Sequence, residues 1–258
     1  MFDFIKTRLE QGTRTIAYPK ETPAVPPRFR GLPVLDSKKC EDGCRACIEV
    51  CPTEAIANTA GTLQLDLGRC IFCSECTAAC PSGAITLSQD FRLATRTRDA
   101  LVLDEQGLRL AEALDNKARS LFGRSLKLRQ VSAGGCNACE SDVNVLSTIV
   151  FDIGRFGIQF VASPRHADGL LITGTLPRNM ELALKKTYAA VPDPKLVIAV
   201  GACAISGGLF RGHPEVLDGA GGSLPIDLYV PGCPPHPLTI LDGLLRLLGR
   251  IESGERKL

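Results

Sequence analysis

Three apolar runs in the second half of the chain are short and end in glycine and cysteine. They are "LKLRQVSAGGC", "PKLVIAVGAC" and "PIDLYVPGC", which run into Cys136, Cys203 and Cys233. Each reads as a strand. Between them lie helical segments at about residues 139–153, 178–190 and 234–250. Alternating strand and helix predicts a parallel sheet, and ligands of such sheets sit beyond the carboxyl ends of the strands. No G-x-G-x-x-G or Walker A run follows any of these strands, so a phosphate is not the expected occupant. Ahead of this region, "LDEQGLRLAEALDNKARSLFG" predicts an amphipathic helix. Leu110, Leu114, Ala118 and Leu121 share its face, and Gly123 is its expected C′ residue. Residues 88–100, "SQDFRLATRTRDA", carry charge without a clear apolar period, as a linker does.

Length and composition narrow the picture. A chain of 258 residues allows one or two domains, and 45% apolar residues suit a globular core. No stretch has the apolar length of a membrane span: "LVIAVGACAI" is too short, and "LTILDGLLRLLG" carries Asp242 and Arg246. The start, "MFDFIKTRLEQGTRT", has no signal-peptide core and no twin arginine. The net charge of +2, the absence of long basic runs and the absence of Trp exclude a nucleic-acid partner as the expectation. The expected compartment is cytoplasmic, where thiols stay reduced. The 12 cysteines are therefore read as metal ligands rather than disulfides.

Eight of those cysteines form an internal repeat. "CEDGCRACIEVCP" (Cys40 to Pro52) is followed by "CIFCSECTAACP" (Cys70 to Pro81), and "CPTEAI" matches "CPSGAI". The second block has the spacing C-x2-C-x2-C-x3-C-P, the bacterial ferredoxin run in which the fourth cysteine serves the other [4Fe-4S] cluster. Cys40, Cys44, Cys47 and Cys80 are thus expected to hold one cluster, and Cys70, Cys73, Cys76 and Cys51 a second. Proline after the fourth cysteine turns the chain away without wasting a donor. The first block is one residue long between Cys40 and Cys44, which Gly43 can absorb with a positive φ. The competing reading is a pair of zinc sites. Zinc favours two C-x2-C pairs across a longer gap, which two interlocked runs ending in C-P do not supply.

The other four cysteines are Cys136, Cys139, Cys203 and Cys233, near three predicted strand ends. Eight and four account for all 12, so a third four-thiolate cluster is expected there. Buried structural cysteine is the alternative.

These residues carry a family resemblance. Residues 1–90 resemble the two-cluster ferredoxin subunit of formate hydrogenlyase, through "MFDFIK", "YPKETPAV", "FRGLPV", "LGRCIFCSEC" and "AITLSQ". Residues 120–248 resemble the small subunit of energy-converting (group 4) [NiFe] hydrogenases, homologous to the 20-kDa subunit of respiratory complex I. The motifs are "GRSLKLRQVSAGGCNACES", "RFGIQFVASPRHADGLLITG", "VGACAISGG" and "VPGCPPHP". The resemblance implies a fusion of two usually separate subunits. The fold class it implies is a small α+β bacterial-type two-cluster ferredoxin domain followed by an α/β flavodoxin-like parallel-sheet domain. The expected divisions are a partner-docking extension over 1–32, the ferredoxin domain over 33–90, a linker over 91–107 and the hydrogenase-like domain over 108–258. The implied function is electron transfer through three [4Fe-4S] clusters to or from a catalytic large subunit, without catalysis by this chain alone. The implied partners are that large subunit, a low-potential donor such as a formate dehydrogenase, other electron-transfer subunits and membrane subunits. The implied location is the cytoplasmic side of a membrane, peripherally. A nickel-free or complex I-like assembly is the alternative.

Several residues have two readings. Glu140 either relays protons beside a cluster or is an acid favoured at a helix N-terminus. Arg165 either offsets cluster charge or forms an ordinary ion pair. His166, His213 and His236 are read as structural or surface residues, with His166 and His236 flanking regions that face the partner in the family. Gly134, Gly135, Gly201, Gly207, Gly208 and Gly232 either admit backbone close to a cluster or simply make turns. Phe2, Phe4, Ile5 and Leu9 either dock on a membrane subunit or pack on this chain.

Overall fold

The computed structural model describes residues 2–251 apart from 42, 60 and 106. The last residues of the expected second domain, 252–258, lie outside the described residues. The first half contains α1 (Phe2–Gln11), β1 (Pro33–Leu35), α2 (Ala46–Glu49), β2 (Ile56–Thr59), β3 (Thr62–Asp66), α3 (Glu75–Ala79), β4 (Ile85–Leu87) and β5 (Val102–Leu103). The second half contains α4 (Asn116–Phe122), β6 (Leu126–Ser132), α5 (Ala138–Val145), β7 (Ile158–Phe160), β8 (Gly169–Thr173), α6 (Arg178–Ala190), β9 (Leu196–Val200), α7 (Ala202–Ser206), β10 (Leu228–Val230) and α8 (Pro237–Leu247).

The cysteine repeat becomes a ferredoxin-like unit. β1 pairs antiparallel with β4, and β2 pairs with β3. The β2–β3 turn closes because Asn58 Oδ1 accepts from the N–H of Gly61, which sits at φ +86°. On β3, Leu63 and Leu65 point inward and their neighbours outward, the period of a half-buried strand.

The stretch expected as a linker is built into both halves. Val102 and Leu103 form a third strand on β3. Upstream, Thr95 exchanges two backbone hydrogen bonds with Tyr229 on β10, at 3.0 and 2.9 Å. Between them, Arg98 holds Asp66 through two hydrogen bonds of 2.8 and 2.6 Å. Phe91, Leu93, Ala94, Leu101 and Leu103 are buried.

The amphipathic helix is shorter than its pattern. Only Asn116–Phe122 is helical, because Asp115 Oδ1 accepts from the N–H of Ala118 and starts the helix there. Upstream, the N–H groups of Ala111 and Leu114 go to Ala94 and Leu247 instead. Leu110 and Leu114 are buried as expected, but Leu121 is 53% exposed. Gly123 caps the helix at φ −65°, not in the left-handed conformation.

The second half is a five-stranded parallel sheet in the order β10-β9-β8-β6-β7. The direction of winding reverses between β6 and β8, a topological switch point. β8 and β9, "GLLIT" and "LVIAV", are buried along their whole length, as parallel strands covered on both faces must be. Alternate residues divide between two cores. Leu170, Ile172, Val197 and Ala199 meet Leu184 of α6 and the apolar residues of the ferredoxin unit. Leu171, Leu196, Ile198 and Val200 meet Val143 of α5 and the leucines of α8. Every residue of α8 is buried. Its Asp242 accepts from Arg246 Nε at 2.8 Å and from the hydroxyl of Tyr18.

The N-terminal extension straps the two halves together. Arg155 donates to the carbonyls of Ile16 and Tyr18, at 2.8 and 2.9 Å. Further on, the N–H groups of Gly31 and Leu32 pair with Ser88 and Asp90. α1 has no buried residue, and Phe2, Phe4, Ile5 and Leu9 are all exposed rather than packed on this chain. No helix among the described residues is long and apolar enough to cross a membrane.

Candidate functional site

The structure gathers the cysteines into three groups of four. Cys47 lies with Cys80, Cys40 and Cys44. Burial raises its thiol pKa, and potential thiolate charge on those three raises it further. Cys70 lies with Cys76, Cys51 and Cys73. Burial and that company push its thiol up to about 12, against the Phe72 N–H that donates to its sulfur. Cys76, in the same group, is pushed up to about 11, first by burial and then by Cys73 and Cys51. The third group is Cys136, Cys139, Cys203 and Cys233. Burial and the Cys233 and Cys136 thiols push Cys203 up to about 11. Burial raises Cys139 further, then Cys203 and Glu140 add to it. Thiols that repel each other's ionisation stay protonated at neutral pH unless a cation joins them. A bound metal would supply that cation and deprotonate a coordinating thiol outright.

The two ferredoxin groups are near copies. Ala55 N–H donates to Cys51 Sγ at 3.3 Å, and Ala84 N–H donates to Cys80 Sγ at 3.2 Å. Thr53 and Ser82 place hydroxyls 3.7 Å from the same two sulfurs. For Cys80, burial raises the thiol, but Ser82 and the N–H groups of Ala84 and Ile85 outweigh it and leave it below its ordinary value. The residue before the second cysteine is left-handed in both blocks: Gly43 at φ +76° and Phe72 at +54°. Gly43 has the positive φ expected of it, at the position that Phe72 holds in the shorter block. N–H groups aimed at sulfurs suit an iron–sulfur cluster, whose potential such bonds tune.

The third group crowns the carboxyl ends of three strands. Cys136 and Cys139 follow β6, Cys203 starts α7 after β9, and Cys233 follows β10. Its cradle is shaped by absent side chains. A Cβ on Gly201 would stand 2.6 Å from Cys139 Sγ, and one on Gly208 2.9 Å from Cys203 Sγ. Cys136 and Cys233 are exposed, so this group opens on a rim. Among the described residues, no three His, Cys, Asp or Glu side chains converge on a point where one metal ion would sit.

The polar residues near the third group have definite roles. Glu140 is buried and accepts from Ser132 Oγ at 2.7 Å and Thr173 Oγ1 at 2.6 Å. Burial raises its pKa, but those hydroxyls and its own N–H outweigh it, so the carboxylate stays ionised. Its Oε2 has no hydrogen-bond partner among the described residues. His236 caps α8: its Nδ1 accepts from the N–H of Leu238 at 3.2 Å, and burial lowers its pKa towards the neutral ring that capping needs. His213 accepts from the N–H of Glu215 in an exposed turn. Arg165 and His166 lie on a 3-10 turn after β7.

Three residues that sequence reasoning passed over join the groups. Ser206, on α7, donates to the carbonyl of Gly68, two residues before Cys70. Arg30, in the strap, donates to the carbonyls of Phe72 and Cys73 at 3.0 and 3.1 Å. Phe72 and Cys233 line one cleft of about 380 Å³ with Phe29 and His236. Each lies inside a motif quoted above, Ser206 in "VGACAISGG", Phe72 in "LGRCIFCSEC" and Arg30 in "FRGLPV", but nothing in those motifs marks it for this contact.

The parallel sheet with thiols at its carboxyl edge, preceded by a ferredoxin-like pair of thiol groups, defines an iron–sulfur subunit of an oxidoreductase complex. Residues 39–85 match the model of the 4Fe-4S dicluster domain. Residues 136–247 match the model described as NADH ubiquinone oxidoreductase, 20 Kd subunit. The chain is 43% identical over 130 residues to formate hydrogenlyase subunit 7 of Escherichia coli, covering 50% of this chain and 51% of that one. It thus spans about half the length of that relative. It is 40% identical over 130 residues to the probable membrane-bound hydrogenase subunit mbhJ of Pyrococcus furiosus, covering 50% and 78%. It is 44% identical over 119 residues to an NADH-quinone oxidoreductase subunit of Citrifermentans bemidjiense, covering 46% and 69%. The chain belongs to the family of the 20-kDa subunit of NADH ubiquinone oxidoreductase.

Proposed function

We propose that this chain is the electron-transfer subunit of a membrane-associated group 4 [NiFe] hydrogenase of the formate-hydrogenlyase kind. It holds three [4Fe-4S] clusters and serves a catalytic large subunit. Cys40, Cys44, Cys47 and Cys80 hold the first, Cys70, Cys73, Cys76 and Cys51 the second, and Cys136, Cys139, Cys203 and Cys233 the third. When bound, such clusters supply one-electron transfer at potentials set by hydrogen bonds, charge and exposure. The chain's own residues fix the spacing, keep water from the inner sulfurs and turn each group towards its neighbour. The sheet is read as flavodoxin-like in class, and the divisions at 33–90 and 108–258 as the two functional modules.

One observation carries the order of the groups. The second group faces the third: Gly68 bonds Ser206, Glu54 pairs with Arg211 at 2.5 Å, and Phe72 shares a cleft with Cys233. The loop of Cys40 and Cys44 instead lines a separate cleft with Arg45, Asn58 and Gly61. The first group is therefore the donor's entry, and the open rim at Cys136 and Cys233 meets the large subunit. A formate-oxidising enzyme is the donor, and the complex sits peripherally on the cytoplasmic side of the membrane beside membrane subunits. Relatives among the NADH-quinone oxidoreductases favour a second reading, the same role in a nickel-free, complex I-like assembly.

Purification of the native complex tests this. The expected content is three cubes of four irons, about twelve irons per chain with as many labile sulfides. A co-purifying large subunit should hold nickel and evolve hydrogen from a reduced dye. Full iron without nickel would select the second reading. Iron at one per four cysteines would overturn both.

A further inference from the structure

We infer that Arg30 sets the second thiol group at a higher reduction potential than the first. The inference rests on the cluster assignment proposed above. The bonds to Cys51 and Cys80 are near copies, and the Phe72 N–H adds one to Cys70 in the second group, which acts in the same direction as a nearby cation. Charge separates them. Glu41 stands between Cys40 and Cys44, where the second block has only Ile71 and Phe72; Lys39 beside Cys40 is taken up by Asp36 at 3.1 Å, and Glu75 beside Cys76 is the second block's own carboxylate. Arg45, which follows Cys44, points its charge at Glu49, 3.9 Å away. The second loop, by contrast, has a cation fastened to its backbone. Arg30 donates to the carbonyls of Phe72 and Cys73, at 3.0 and 3.1 Å, one of them on a ligating residue.

The strap fixes that charge. Gly31 cannot carry a side chain, because a Cβ would stand 2.7 Å from the backbone nitrogen of Asp90 and closer still to its carbonyl oxygen. Its N–H bonds the carbonyl of Ser88 at 2.8 Å, and the N–H of Leu32 bonds that of Asp90 at 2.9 Å. On the other side, Phe29 packs edge-on against His236, with ring centroids 5.3 Å apart. Arg30 is thus pinned between two anchors. Phe72 is the left-handed residue of its turn, a costly conformation for a bulky side chain, and its carbonyl is one of the two that Arg30 holds.

The sign follows from Coulomb's law. Each thiolate-ligated cluster gains one negative charge on reduction. A fixed cation nearby favours the reduced form, and carboxylates nearby favour the oxidised form. One electron passing from the first group to the second oxidises one cluster and reduces the other, and Arg30 biases that direction downhill. Solvent screens an exposed guanidinium, so the effect is about two- to fivefold in the ratio of reduced to oxidised cluster at fixed potential.

The test is a mediated redox titration of the full chain, loaded with iron and sulfide and followed by electron paramagnetic resonance. Cys44→Ser and Cys73→Ser variants assign the first two signals. Arg30→Gln keeps a donor and loses the charge; it should lower the second cluster's potential by the stated ratio and leave the first unmoved. Arg30→Lys keeps the charge and should stay near the parent value. Glu41→Gln should raise the first cluster alone. Iron content equal to the parent's guards against misfolding. Equal shifts in Arg30→Gln and Arg30→Lys, or unmoved potentials with both clusters present, would overturn the inference alone. Failure of the parent chain to bind the two clusters would overturn the cluster assignment and this inference with it.

Discussion

The hydroxyl of Ser206 donates to the carbonyl of Gly68 at 2.8 Å, across 138 residues of sequence and inside the protein. It also donates to Ala202, one turn back on α7, at 3.1 Å. The bond ties the approach to Cys70 to α7, the helix that carries Cys203. Glycine is required at the contact, because a Cβ on Gly68 would stand 2.8 Å from both Arg98 Cζ and Ile205 Cγ2.

Ser206→Ala should therefore destabilise the junction by about 1–3 kcal/mol, the cost of leaving a buried carbonyl unpaired. Gly68→Ala should do more, by forcing Arg98 from Asp66. Both variants should keep their iron but weaken the magnetic coupling between the second and third clusters. Unchanged coupling in both would show that this contact does not set the spacing.

The two modules should fail separately. Cys73→Ser should remove the second cluster's signal and leave the third's, while Cys203→Ser should do the reverse. Loss of every signal from either variant, in a chain that remains folded, would contradict the grouping.

The strand at Val102–Leu103 makes a further demand on the ferredoxin unit. Leu101 and Leu103 are fully buried and complete the sheet that β2 and β3 begin. A fragment of residues 31–104 should hold iron against a chelator far longer than one of residues 31–90, since metal binding and folding are one equilibrium in so small a unit. Equal half-lives would show that the third strand is dispensable.

His236 should make stability depend on pH. Burial lowers its pKa in the folded state, so the unfolded chain binds the proton first. Its contribution is complete well above the ordinary histidine value of 6.5 and is lost as pH falls below that value towards the folded one. His236→Asn keeps an N-cap acceptor without a titrating ring and should flatten this part of the profile. His236→Ala should cost about 1 kcal/mol at neutral pH. A parent profile no steeper below 6.5 than that of His236→Asn would refute the assignment.

Much of the site was legible because thiols are rare and their spacing is rigid. The interlocked runs from Cys40 to Cys80 name their own groups, and three apolar runs ending in Gly-Cys or Gly-x-Cys announce a sheet edge. The strands "IQF" and "GLLIT" were harder to see. The first is only three residues long, and the second lacks the alternation that marks a half-buried strand. The amphipathic pattern over 103–123 was misleading for a physical reason. Leu110 and Leu114 are buried in a stretch whose Ala111 and Leu114 N–H groups pair with Ala94 and Leu247, and burial of leucines four apart does not by itself require a helix. Arg30 and Ser206 were illegible, since each acts on a backbone carbonyl far away in sequence, and a carbonyl has no letter in the sequence.

Tyr18 and Asp242 lie 224 residues apart, and their hydrogen bond is buried. During synthesis Tyr18 emerges well before its seat on α8. At about 5–20 residues per second, the ribosome leaves tens of seconds or less between the two events. For the later part of that interval the ferredoxin unit is already made, with Gly31 and Leu32 paired to Ser88 and Asp90, while Tyr18 still lacks its seat. The strap can therefore close fully over the rest of the chain only once α8 is made and its Asp242 receives Tyr18.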